Sequence, residues 1–228
     1  MPVQRGYHQA CGIARGLDLV GERWALLIVR ELLLGPKRFT DLRAGLPGAS
    51  PNALTDRLNE LTQAGILCRR QLPPPAASRV YELTDWGRGL EPVVVALGTW
   101  ALGSPQAVEP AFVSLDSAML SIRTYYRGPG TGPADGPVSL LVRLTDGDAG
   151  RAFGVWLHGA TADVRHEVPA RPDATITTDM ATLISVLGDH GRLPDALATS
   201  MNITGDPQVV RQLVTGVAIP GPGQPQPC

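Results

Sequence analysis

The chain has 228 residues, room for two modest domains, and its 20 lysines and arginines against 21 aspartates and glutamates leave a net charge of −1, so charge has to be read region by region. Its longest apolar run, residues 24–29, falls far short of the ~20 residues that span a bilayer, and no signal-peptide pattern opens it; a cytoplasmic protein with no membrane partner is expected. The three cysteines, at 11, 68 and 228, share no C-x-x-C spacing, and the four histidines, at 8, 158, 166 and 190, form no ligand pair with a nearby carboxylate, which argues against a structural metal or other cofactor.

In chain order, the first feature is Cys11, just ahead of a helix. Unpaired N–H groups there and the neighbouring Arg15 would stabilise a thiolate, making Cys11 a candidate sensor of oxidants or electrophiles; a buried small hydrophobe is the competing reading. Further on, Thr40 is expected to cap a short helix through Asp41, Leu42 and Arg43, which Leu46-Pro47-Gly48 breaks. Residues 50–65 read SPNALTDRLNELTQAG. Ser50 suits an N-cap, Pro51 the first helical position and Gly65 a left-handed C-terminus. Leu54, Leu58 and Leu61 stack on one face, which packs inward. The other face carries Asn52, Asp56, Asn59 and Gln63, flanked by Thr55 and Arg57, side chains that hydrogen-bond base edges or phosphates.

Residues 66–72 and 80–83 have the composition of strands, and Pro73-Pro74-Pro75 between them lacks ladder donors and must loop. Helix, helix and hairpin in this order are the layout of a winged helix-turn-helix, with the hairpin as wing. From Gly35 to Val80 seven basic residues face three acidic ones, a net of +4, which suits phosphate. The expected DNA contacts are Ser50, Asn52, Thr55, Asp56, Arg57 and Asn59 with Thr40 at the duplex, and Lys37, Arg38 and Arg79 on the backbone or minor groove.

Cys11, Glu22-Arg23-Trp24 at the second helix, the RFTDL segment, Leu54-Thr55-Asp56-Arg57-Leu58 and Leu83-Thr84 before a long terminal helix together resemble the HxlR-type transcription regulators over residues 11–102. That resemblance implies a homodimeric winged-helix regulator of inverted-repeat operators in double-stranded DNA, often a repressor, and in several members an N-terminal cysteine that senses redox state or aldehydes. The terminal helix, residues 85–102, is expected to join the N-terminal helix in the dimer seam, with Leu90, Val94, Leu97 and Trp100 buried and Pro92 bending it.

More than half of the chain remains. Residues 1–105 carry 12 basic and 9 acidic residues and residues 106–228 carry 8 and 12, so only the first part favours DNA. Strands are expected at 138–144, 151–158, 160–168, 174–178 and 201–204, with a hairpin turn at Asp146-Gly147-Asp148, and helices at 180–187, 194–198 and 207–217. Asp173-Ala174, Ile176, Asp179, a leucine-rich helix, then Met201-Asn202-Ile203 and Gly205-Asp206 resemble the sterol-carrier-protein fold, which implies a basket enclosing an apolar tunnel. An apolar small molecule is then the expected effector, with Phe153, Val155, Trp156, Leu157, Leu183 and Leu187 as candidate pocket residues. The structural alternative is that such side chains simply fill a core.

The fold class is therefore mixed α+β: a winged-helix DNA-binding and dimerisation domain (1–103), a linker (104–110), a sterol-carrier-like effector domain (111–218) and a disordered tail (219–228). No enzyme is expected. The prolines of residues 128–137 remove the donors a phosphate cradle needs, and Asp189-His190 has no nucleophile at a readable spacing. Two alternatives stand beside the ligand-responsive repressor: a redox or electrophile sensor working through Cys11 above a structural second domain, and a lipid carrier or interaction protein.

Overall fold

The leucine face read from residues 50–65 is fully inside: Leu54, Leu58 and Leu61 are buried in the computed structural model, which describes residues 6–73, 77–104, 112–128, 136–146 and 151–219. The chain divides into two compact units, Met1–Gly98 and Thr99–Cys228, and its architecture is mixed α/β.

The first unit opens with α1 (Gly12–Val20), α2 (Ala25–Leu32), α3 (Phe39–Gly45) and α4 (Pro51–Gln63). Ser50 caps α4, its hydroxyl accepting from the Ala53 N–H at 3.2 Å, with Pro51 at the first helical position. Gly65 follows the helix at φ 74°, the left-handed conformation that glycine adopts at least cost. Helix α3 begins two residues earlier than the sequence suggests: Arg38 is its N-cap, and its N–H donates to the Asp41 carboxylate at 3.2 Å. Thr40 is thus the second helical residue rather than the cap. The strands β1 (Leu67–Gln71) and β2 (Arg79–Leu83) pair antiparallel, Leu67 opposite Leu83 and Gln71 opposite Arg79, and Lys37 bridges to Tyr81 beside them. Of the expected wing loop, Pro74 and Pro75 lie outside the described residues. Ile28, Val29, Leu32, Leu42, Ile66 and Val80 join the α4 leucines in one core.

The expected single terminal helix is two: α5 (Asp85–Arg88), capped by the Thr84 hydroxyl on the Gly87 N–H at 3.0 Å, and α6 (Glu91–Leu102). Pro92 lies in the first turn of α6, where a missing N–H removes no intrahelical bond, so it starts a helix instead of bending one. No residue of α6 is buried; Trp100 is 77% exposed and Leu97 45%.

The second unit begins with a helix the sequence reading does not assign, α7 (Leu115–Tyr125), capped by Ser114 and burying Ala118, Met119, Ile122 and Tyr125. Then come β3 (Val138–Leu144), β4 (Arg151–His158), β5 (Thr161–Arg165), β6 (Ala174–Thr178), α8 (Met180–Gly188), a 3₁₀ turn at His190–Arg192, α9 (Leu193–Thr199), β7 (Asn202–Gly205) and α10 (Pro207–Gly216). The sheet order is β5-β4-β3-β6-β7, with β3 and β6 parallel and the other neighbours antiparallel. Helices α8 and α10 begin on Asp179 and Asp206, whose carboxylates accept from the Thr182 and Gln208 N–H groups at 2.8 Å. Strand β5 ends at Arg165, short of the expected residue 168. Residues 147–148 of the expected hairpin turn, residues 105–110 of the linker, most of the 128–137 loop and residues 220–228 of the tail lie outside the described residues.

Candidate nucleic-acid interface

Helix α4 is held by its leucine face and turns Asn52, Thr55 and Asp56 to solvent. The Thr55 hydroxyl donates to the Pro51 carbonyl at 2.8 Å, which fixes its rotamer. Ser50, Arg38, Thr40 and Arg79 are also exposed. Arg79 starts β2, at the wing end of the hairpin.

Three of the expected contact residues are placed differently. Lys37 is 5% exposed; its Nζ donates to Glu31 Oε2 at 2.6 Å, and Arg30 binds the other Glu31 oxygen at 2.8 Å. A buried ammonium committed to a buried carboxylate is structural, so Lys37 is no phosphate contact. Arg57 is 16% exposed and turns to Glu60 on its own helix and to Glu22, 3.6 Å away. Asn59 accepts from the Arg69 guanidinium of β1, and Arg69 lies 5.4 Å from the centre of the Tyr81 ring. This chain of contacts ties the wing to α4. In the sequence Arg69 shows only as charge, because its partners lie on other elements.

Cys11 is exposed and is the N-cap of α1. Its thiol pKa is lowered, first by the backbone N–H of Ala14 and then by that of Ile13, although no cap hydrogen bond is completed. The cause is the helix terminus, as expected, and not the Arg15 charge.

In the second unit five of the six candidate pocket residues lie in the core. Phe153, Val155, Leu157, Leu183 and Leu187 are buried, filling the space between sheet and helices. Trp156 alternates to the opposite face, where Arg165 lies 5.5 Å from its ring centre. A cavity of about 430 Å³ opens between α8 and α9, lined by Thr182, Ser185, Arg192, Asp195 and Ser200 among others, with none of the six candidates in its lining. His166 pairs with the buried Asp116 of α7 at 2.8 Å, a partner too distant in sequence to be read. Among the described residues no three histidine, cysteine or acidic side chains gather as a metal site, and no helix is long and apolar enough to cross a membrane.

A leucine-backed helix with a polar outer face, entered across a tight turn and followed by a basic hairpin, defines a winged helix-turn-helix protein. Residues 19–107 match the family described as HxlR-like helix-turn-helix. The regulator YvaP of Bacillus subtilis is 34% identical over 99 residues, which are 43% of this chain and 89% of that protein. YodB of the same organism is 39% identical over 84 residues, 37% of this chain and 75% of that one. The oxidised form of the redox regulator HypR is 30% identical, with a TM-score of 0.40 over 42% of this chain and all of that one. The chain belongs to the HxlR-like helix-turn-helix family of transcriptional regulators.

Proposed function

We propose that this protein is a homodimeric repressor that binds an inverted-repeat operator through α4 and the wing and leaves it when an effector acts on the second unit. The observation that carries the DNA reading is the two-sidedness of α4: its apolar side is fully consumed by the core, while Asn52, Thr55 and Asp56 remain outward. Asn52, Thr55 and Asp56 read bases; Arg38, Thr40, Ser50 and Arg79 hold the backbone. Lys37 and Arg57 are left out of this set because both are committed to carboxylates.

Domain roles follow the sequence boundaries: 1–103 binds DNA and dimerises, and 111–218 is the effector module. The exposed apolar side chains of α1 and α6, Ile13, Leu17, Val93, Leu97 and Trp100, support a dimer seam there. For the effector module, the β5-β4-β3-β6-β7 sheet with its helices supports a sterol-carrier-like basket, and an apolar ligand would enter by parting the side chains that now fill it. A second reading has its own observation: the exposed Cys11 with its lowered pKa supports redox or electrophile sensing, as in the relative named a redox regulator.

The test is Asn52→Ala in the full chain, titrated at fixed salt against duplexes selected from a random pool by the wild-type protein. A bidentate base contact is worth about 1–3 kcal/mol. An unchanged dissociation constant would remove α4 from the readout.

A further inference from the structure

The segment between α1 and α2 reaches both parts of the helix-turn-helix. Trp24 stands at φ 77°, ψ −17°, left-handed backbone that a bulky residue adopts only when its surroundings impose it. Its carbonyl accepts from the Ile28 N–H at 2.8 Å and so opens α2. The Arg23 guanidinium lies 4.8 Å from the indole centre. The far edge of the indole meets the turn between α3 and α4: a methyl carbon built on Gly48 would stand 3.0 Å from Trp24 Cη2. Glu22, two residues earlier, faces Arg57 of α4 at 3.6 Å. Arg57 is held a second time by Glu60, and its Nε is buried without a hydrogen-bond partner, so its carboxylates fix the side chain by the terminal nitrogens.

We infer that Glu22 and Trp24 are positioning residues that set the angle at which α4 is presented, acting through Gly48 and Arg57 and not by touching DNA. One strained segment braces the turn before α4 and the middle of α4 itself, so a shift of this segment rotates the helix against its core. Base contacts tolerate displacements of only ~0.5 Å, whereas phosphate contacts from long flexible side chains adapt. The brace therefore governs discrimination between sequences more than overall affinity for DNA. The inference rests on α4 being the recognition helix.

Gly48 is outside the left-handed region, and the three nearest atoms to an added methyl all belong to Trp24, so Gly48→Ala pushes on the indole alone. Trp24→Phe removes the atoms it would strike. The experiment titrates full-length variants at one salt concentration against a duplex selected by the wild-type protein and an unselected duplex of equal length, with melting temperatures recorded alongside. Gly48→Ala is expected to weaken selected-duplex binding about tenfold with the unselected duplex unchanged, and Trp24→Phe/Gly48→Ala to regain most of that loss. Glu22→Gln, at an exposed side chain that the fold does not need, should show a smaller loss of the same kind. The inference is overturned if Gly48→Ala discriminates like wild type, if the double variant stays as weak as the single, or if both duplexes lose equally. Should Gly48→Ala not fold, Glu22→Gln decides in the same way, undiminished discrimination counting against the brace. A wild-type protein that selects no sequence, or an Asn52→Ala variant that keeps full preference, instead overturns the recognition-helix reading.

Discussion

Helices α4 and α6 are of similar length and opposite character. Helix α4 is polar on balance, yet its three leucines are all buried, and what it leaves outside is hydrogen-bonding groups. Helix α6, EPVVVALGTWAL, is almost wholly apolar and buries nothing. A helix that is apolar all round belongs in an interior, and exposed apolar patches of this kind mark association surfaces. The contrast separates a helix whose environment is completed by its own chain from one whose environment is still to be supplied.

The contrast makes its largest demand on α4. Leu58→Ala is expected to cost about 2–5 kcal/mol of unfolding free energy through the cavity it leaves, read as a lowered urea midpoint; a change within experimental scatter would mean that the leucine face is not the core. Trp100→Ala is the complementary change. It should leave the circular dichroism spectrum intact and weaken self-association by about 2 kcal/mol, measured by sedimentation equilibrium, while a variant as associated as wild type would break the assignment of α6 to a seam. The smallest effect concerns the start of α1. Because the Ala14 and Ile13 N–H groups favour the thiolate, the pH midpoint for alkylation of Cys11 should lie below the ordinary thiol value of 9.0 in native protein and rise when the same protein is denatured. Equal midpoints in the two states would leave α1 without influence on the thiol.

Much of this arrangement is legible in the sequence. Ser50, Pro51 and Gly65 mark the ends of α4 because caps and left-handed closures are local chemistry, and the hairpin follows from strand composition and prolines. The ion pairs of Lys37 and Arg57 with Glu31 and Glu22 are not legible, because residue type announces charge without naming a carboxylate that comes from another element. Helix α7 escapes because its buried positions alternate with Ser117, Ser121 and Arg123. The candidate pocket is only half legible, for another reason. Alternation of Phe153, Val155 and Leu157 reveals an inward face but not whether that face meets a hollow or other side chains, and the same alternation already places Trp156 on the other side.

The parallel pairing of β3 with β6 has a consequence in time. In the first unit the ribbon closes locally, Gln71 finding Arg79, whereas Leu140 in the middle of the second sheet must wait for Ala174, beyond two intervening strands. Non-local pairings slow folding because loop closure precedes any reward. During synthesis the helix-turn-helix half can therefore fold to completion while the chain that forms the second sheet is still being made, and unfinished strands β3, β4 and β5 are the stretch of the nascent protein exposed longest.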